Sequence, residues 1–396
     1  MIKIYLDWNC ITHSKGVERF HYVLRIVDKY RQYIICPYTT THIRDVIVSR
    51  DTHTDDFDKD IIQLTKISEN NLLYWDGEQI LPKSAFPQEC VDKEGDALKF
   101  IQTLEWIKPE TYVYLKQCVQ SLIPEDMRYS IQKEDDPTKV IPRIDGYIQC
   151  VLKQTDLQHL MNNNQLKELI DAETRFKTMC LGLDIFGYKS EEKNKSFANI
   201  DADAEHIFMA AHCDYLVSAD KRMRAKAQAL YSKFHIQTRV IKPEDLENVV
   251  QETLSTAFSV DYIHSCVETY GHPISEDSDG IHYRLLPIPL FTLFSFCIAG
   301  SSIKHPLGDK TAFFFYGFKV PYLFDKEIET FLNKIAQHMP KDYVNDFFVR
   351  YANPIMRHER IAPYRILFQD QPMEFILYMD PLHETPIPML QIVFTR

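Results

Sequence analysis

The chain has 396 residues, 45% of them hydrophobic and 26% charged, a globular composition with enough apolar surface for real cores. That balance excludes a disordered or fibrous protein. The net charge of −11 excludes a non-specific polycationic coat for nucleic acid but leaves room for a local basic patch.

Glycine is scarce, with 11 residues, and G-x-G-x-x-G, G-x-x-x-x-G-K-[ST] and G-x-S-x-G are all absent. Dinucleotide binding, P-loop chemistry and nucleophile-elbow hydrolysis therefore lose their usual fingerprints. The nine cysteines include no C-x-x-C pair and read as reduced thiols of a cytosolic protein, not as a disulfide framework or zinc site. The N-terminus enters a strand pattern with no basic-then-apolar leader, so no signal peptide is expected. The most apolar window, 285–299, holds Pro287 and Pro289 and falls short of the ~20 residues of a membrane span. It reads as a buried strand or strand pair, and the expected location is cytoplasmic, without a membrane partner.

In chain order, Ile2-Lys3-Ile4-Tyr5-Leu6 is a short apolar run ending on Asp7, which predicts a strand. Val17, Phe20, Val23, Leu24 and Val27 recur at three and four residues and predict a helix over 14–30. A second buried strand follows at 33–36 and stops at Pro37. Thr39, Thr40 and Thr41 then offer caps for a helix carrying His42 and Asp45. The first fifty residues thus read β-α-β-α, which implies a parallel sheet.

Residues 51–195 change character. An acidic opening leads into polar, helix-like sequence broken by prolines at 82, 87, 109, 124, 137 and 142, read as a mostly helical insertion. The alternating pattern returns with a helix over 203–212, a strand at 215–218, a basic helix over 221–231 and a strand at 239–241. From 251 to 396 the chain is aromatic-rich, with one clear helix at 326–338 that Asp325 can cap, and reads as a separate α+β domain of unknown role. Glu276-Asp277-Ser278-Asp279-Gly280 lacks the ligand spacing of a calcium loop and predicts a hairpin turn. The expected organisation is one α/β domain from 1–50 and 196–250, the insertion 51–195, and the C-terminal domain 251–396.

Ligands of open parallel sheets sit beyond the carboxyl ends of the strands. Asp7 follows the first strand, Asp45 lies on the helix after the second, Asp203 starts a later helix, and Asp220 follows the strand at 215–218. Carboxylates crowded together must take up protons or bind cations. A set made only of aspartates favours Mg²⁺ or Mn²⁺, which activate water for phosphodiester hydrolysis. Taken singly, each aspartate is more readily a helix or turn cap, so the argument rests on the set.

The local context resembles PIN-domain nucleases. Ile4-Tyr5-Leu6-Asp7-Trp8-Asn9 is similar to the family's opening strand and acid, and Pro37 to Asp45 to its second motif with Asp in place of Glu. Asp203-Ala204-Glu205-His206 with Cys213 to Asp220 is similar to its last two motifs, and Val240-Ile241-Lys242-Pro243-Glu244 to the closing strand and turn. The resemblance covers about 1–50 and 196–248. It implies a three-layer α/β/α fold and a metal-dependent endonuclease, most often acting on RNA. Asp7, Asp45, Asp203 and Asp220 would be the catalytic, metal-binding acids, with Asn9 and Ser218 orienting carboxylates.

Two features depart from the family: the long separation of Asp45 from Asp203, and the competition of Asp201 with Asp203 for the third position. Asp203 is preferred because His206 shares its helical face. His206 is expected beside the acids as a supporting or acid–base group. Lys221, Arg222, Arg224 and Lys226 are at helical neighbour spacings and could clamp phosphate or form a solvated face. Trp8 is a candidate base-stacking ring, with core packing the stronger reading. His42 and His212 are expected to be structural. The implied partners are nucleic acid, RNA ahead of DNA, and a restraining inhibitor or regulatory protein. The phenylalanines at 313–315 leave a homo-oligomer face open. The alternative to an enzyme is a non-catalytic PIN-like scaffold that binds RNA or a protein. A third reading is a metal phosphohydrolase of small substrates.

Overall fold

The computed structural model describes residues 1–13, 18–52, 57–93, 109–154, 172–190, 197–255, 271–277, 280–285, 301–307, 310–315, 325–337, 341–356, 364–367, 373–380 and 387–395. The chain divides into two compact units, Lys3–Glu247 and Asn248–Arg396 together with Met1–Ile2.

The protein is mixed α/β. Strand β1 (Ile2–Leu6) forms because its β-branched and aromatic residues are buried on both faces, with Ile4 and Tyr5 at 0% exposure. Burying each large aliphatic chain in such a run stabilises the fold by about 1.5–3 kcal/mol. Helices α1 (Trp8–His13) and α2 (Glu18–Lys29) lead to β2 (Ile34–Ile35). After β3 (Tyr38–Thr39) comes helix α3 (Thr40–Thr52). The β-α-β-α expectation holds, with the added short helix α1 directly after Asp7.

The central sheet is completed from far along the chain. Helix α9 (Phe197–Ala210), strand β6 (Tyr215–Val217), helix α10 (Lys221–Phe234) and strand β7 (Arg239–Ile241) follow one another. The strand order is β2-β1-β6-β7. The β1–β6 pair is parallel, with Ile4, Tyr5 and Leu6 opposite Tyr215, Leu216 and Val217, and β6–β7 is parallel too. The connection after β1 leads to one side of the sheet and the connection after β6 to the other. The crevice between the ends of β1 and β6 is therefore the switch point where α/β sheets bind ligands.

The 51–195 stretch is richer than a helical insertion. It carries α4 (Phe57–Ser68), α5 (Pro109–Leu122), α6 (Glu125–Gln132), α7 (Pro137–Gln154) and α8 (Ala172–Ile185). It also contributes a hairpin, β4 (Asn71–Trp75) and β5 (Ile80–Ser84), whose β4 pairs in parallel with β3. A proline at 82 is expected to interrupt regular structure. Pro82 instead sits opposite Leu73 on the edge strand of the order β3-β4-β5, where a missing N–H costs no ladder bond. Asp76 builds the hairpin turn by accepting from the N–H groups of Glu78 and Gln79, with Gly77 at φ 105°.

The second unit begins with α11 (Leu246–Ser255), which spans the division between the units. It holds strands β8 (Gly271–Asp277), β9 (Gly280–Leu285), β10 (Ser301–Leu307), β11 (Lys310–Phe315), β12 (Tyr364–Leu367), β13 (Met373–Asp380) and β14 (Ile387–Thr395) in one antiparallel sheet of order β12-β13-β14-β11-β10-β9-β8, and a helix over Asp325–Gln337. The expected hairpin is present, since Asp277 at the end of β8 (Gly271–Asp277) pairs with Gly280 at the start of β9 (Gly280–Leu285). The backbone of 313–315 lies in β11 (Lys310–Phe315), while the packing of those phenylalanine side chains and the 286–299 window lie outside the described residues. Among the described residues no helix is long and apolar enough to cross a membrane.

Candidate functional site

Asp7 follows β1 directly and its N–H bonds the Val217 carbonyl at 2.9 Å, which ties the first acid to the end of β6. Its side chain is 3% exposed. Ser218 Oγ donates to Asp7 Oδ2 at 2.8 Å and accepts from the Asp220 N–H at 3.0 Å. Asn9 is exposed and makes only a long 3.5 Å contact with Asp7 Oδ2. Burial pushes the Asp7 carboxyl above its ordinary value. The charge of His206 and the Ser218 bond work against this, while the charges of Asp45 and Asp220 add to it.

Asp220 is the N-cap of α10, and its Oδ1 accepts from Arg222 N–H at 2.7 Å and Met223 N–H at 3.2 Å. The capping role open to any aspartate at a helix start is thus realised here. The capping residue also acts electrostatically on Asp7.

Asp45, on α3, accepts a bond between its Oδ2 and His206 Nε2 at 2.9 Å. The other ring nitrogen, Nδ1, stands 2.7 Å from the Tyr5 hydroxyl. With both nitrogens engaged, His206 offers no lone pair to a metal. Burial works to lower its pKa and is outweighed by the Asp45 bond and by the charges of Asp45, Asp7 and Asp203, so the net shift is upward. The four predicted acids are therefore electrostatically linked through Asp7 and His206. Their carboxylates do not form a closed ligand shell: among the described residues no group of three or more His, Cys, Asp or Glu is arranged to hold a metal ion.

The hydrogen-bond chain continues inward. Tyr5 Oη lies 3.0 Å from Thr39 Oγ1, which lies 3.0 Å from His42 Nδ1. The Thr39 N–H also donates to His42 Nδ1 at 3.1 Å, so that nitrogen carries no proton and Nε2–H donates to the Leu6 carbonyl at 2.9 Å. His42, in the first turn of α3, reaches back as the Glu of a capping box does. Burial, followed by the neighbouring His206 charge, drives the His42 pKa well below the ordinary value, against the bond to Leu6. Trp8 is half-buried and edge-on to His42 at 6.3 Å between centroids, which favours packing over base stacking.

Beside this chain lies an ion-pair cluster that the sequence reading missed. Arg44 Nη1 is 3.5 Å from Asp201 and 3.4 Å from Glu205, and Lys177 of α8 is 3.5 Å from Glu205 and 3.9 Å from Asp201. Burial raises the Glu205 pKa, but Lys177, Arg44 and a Thr41 bond more than offset it and hold it below the usual range. Asp201 belongs to this cluster, while Asp203 is half-buried one turn before His206 and acts on it through its charge. The i,i+4 spacing of Asp201 and Glu205 was the available signal.

One basic residue needs correction. Lys226 is 1% exposed, and its Nζ lies 3.5 Å from Asp184, itself 0% exposed and bonded by Lys116 at 2.6 Å. It is a core cation and does not face a phosphate. Arg224 donates to the Ser218 carbonyl at 2.6 Å and braces the end of β6. Lys221 is exposed and Arg222 half-buried at the start of α10.

No family model, curated protein or solved structure matches the chain. The functional reading accordingly rests on the residues themselves. Carboxylate oxygens, as a donor type, suit a hard divalent ion better than zinc.

Proposed function

We propose that this chain is a divalent-metal-dependent, PIN-like endonuclease that hydrolyses phosphodiester bonds, RNA ahead of DNA, on a three-layer α/β/α domain. The observation that carries the reading is the gathering of acids at the β1/β6 switch point around Asp7, whose pKa burial raises and whose neighbours Asp45 and Asp220 raise further. Asp7, Asp45, Asp203 and Asp220 are the residues that would hold Mg²⁺ or Mn²⁺. When bound, such an ion supplies positive charge at the reacting phosphate and acidifies water at neutral pH.

The protein's own groups set the stage for this. Ser218 holds Asp7 Oδ2 and the Asp220 backbone together. Arg224 fixes the Ser218 carbonyl. Exposed Lys221, the residue after Asp220, is the basic group that would meet substrate phosphates.

The test is incubation of the purified full chain with labelled single-stranded RNA and with DNA, with and without Mn²⁺. Cleavage should need the metal and fall more than about 100-fold in Asp7→Asn and Asp220→Asn, both folded. Asparagine caps a helix as well as aspartate, so Asp220→Asn isolates the charge. Metal-independent cleavage, or an unaffected Asp7→Asn enzyme, would refute the reading.

A second reading has its own support. Asp45 is bonded by His206, and Asp220 Oδ1 is engaged as a cap, as in a scaffold that holds RNA or a protein without chemistry. Calorimetric titration with Mn²⁺ separates the two, since a scaffold gives no binding heat.

A further inference from the structure

We infer that His206 is a positioning residue for Asp45, and that Tyr5, Thr39 and His42 form the rigid backing that aims its ring; this rests on the metal-dependent reading above. His206 is 3% exposed, too deep to touch a substrate phosphate. Its two nitrogens are committed in opposite directions, Nε2 to Asp45 at 2.9 Å and Nδ1 to the Tyr5 hydroxyl at 2.7 Å. A ring held at both ends cannot swing, so the Asp45 carboxylate it contacts is fixed as well.

The backing is anchored in backbone. Tyr5 Oη meets Thr39 Oγ1, Thr39 meets His42 Nδ1 through both its hydroxyl and its N–H, and His42 Nε2 ends on the Leu6 carbonyl in β1. Tyr5, Thr39 and His42 are each 0% exposed, so water does not compete for these bonds. The rings also touch, with centroids 4.9 Å apart for His42 and His206 and 5.0 Å for Tyr5 and His42. His206 hydrogen-bonds the Asp45 carboxylate, so the chain that starts on β1 sets where that acid stands.

A carboxylate on the first helical turns of α3 would otherwise sample several rotamers. Groups that orient a metal-binding carboxylate from behind typically contribute 10–100-fold in metal affinity.

The test uses the full chain and a double-mutant cycle of His206→Ala, Asp45→Asn and the pair, with Tyr5→Phe as the milder variant should His206→Ala not fold. Two readouts are taken: urea unfolding without metal, and Mn²⁺ affinity by electron paramagnetic resonance. His206→Ala and Tyr5→Phe should each weaken Mn²⁺ binding about tenfold. Neither should weaken it further in the Asp45→Asn background, and His206 and Asp45 should couple in the unfolding cycle. Equal loss of affinity with and without Asp45, or no coupling in unfolding, would overturn the positioning role. Coupling of His206 and Asp45 in the unfolding cycle, together with no Mn²⁺ binding by the wild-type chain, would instead overturn the metal reading beneath it.

Discussion

Replacing Tyr5 with phenylalanine removes one oxygen from the middle of a buried chain and little else. The ring keeps its packing against His42, so no cavity opens. Thr39 Oγ1 keeps its contact with His42 Nδ1 at 3.0 Å. His206 Nδ1 loses the hydroxyl 2.7 Å away and, at 3% exposure, cannot turn to water. A buried polar group left without a partner costs about 1–3 kcal/mol, so Tyr5→Phe should destabilise the unit by about 2 kcal/mol. With a urea slope near 2–3 kcal/mol/M, the midpoint should fall by about 0.7–1 M with the slope unchanged. Tryptophan fluorescence is the appropriate probe, because Trp8, Trp75 and Trp106 all fall within Lys3–Glu247. A midpoint within about 0.2 M of wild type, or above it, would mean that the hydroxyl is not holding the imidazole, and the chain from Leu6 to Asp45 would have no structural force.

Asp7→Asn should raise the melting temperature without metal and abolish stabilisation by Mn²⁺, since ionising a buried carboxyl whose pKa is raised above its unfolded value opposes folding at neutral pH; thermal scans with and without Mn²⁺ check both effects. The two buried histidines have opposite signs. His206, raised above 6.5 in the fold, contributes stability that is full below pH 6.5 and lost as pH climbs through its folded value, so the deficit of His206→Gln should shrink as pH rises above neutrality in urea unfolding. His42, lowered below 6.5, contributes above pH 6.5 and loses that contribution as pH falls through its folded value, so acid unfolding should be less steep in a folded His42→Gln variant. Lys226→Ala should destabilise by less than the about 3–5 kcal/mol of an uncompensated buried charge, because Lys116 stays on Asp184 at 2.6 Å, whereas exposed Lys221→Ala should leave the midpoint alone and weaken RNA binding in a filter assay.

The central sheet was legible because parallel strands buried on both faces are written as unbroken apolar runs, as in 2–6 and 215–217. Asp7 and Asp220 stand just past the ends of those runs, whereas Asp45 and Asp203 lie within helices and have no such marker. What escaped was whatever depended on partners remote in sequence. Tyr5 inside an apolar run looks like plain core, and only the fold brings its hydroxyl to Thr39 and to His206, 34 and 201 positions away. The basic run after Asp220 has helical spacing, but spacing alone does not say which side packs. Asp184, on a helix of the 51–195 stretch, draws Lys226 inward and leaves Lys221 outside. The β4–β5 hairpin was hidden by Pro82, whose tolerance depends on β5 being an edge strand, a property of the assembled sheet.

Lys177 belongs to the long stretch between the second and third acids, yet it stands against Glu205 and Asp201 on the helix that carries Asp203 and His206. Anyone hoping to trim the protein to a minimal domain by excising 51–195 would remove that ammonium and leave two adjoining carboxylates leaning on Arg44 by themselves. The interruption is a buttress grown into the wall, and shortening has to spare the α8 segment around Lys177 if the remainder is to stand.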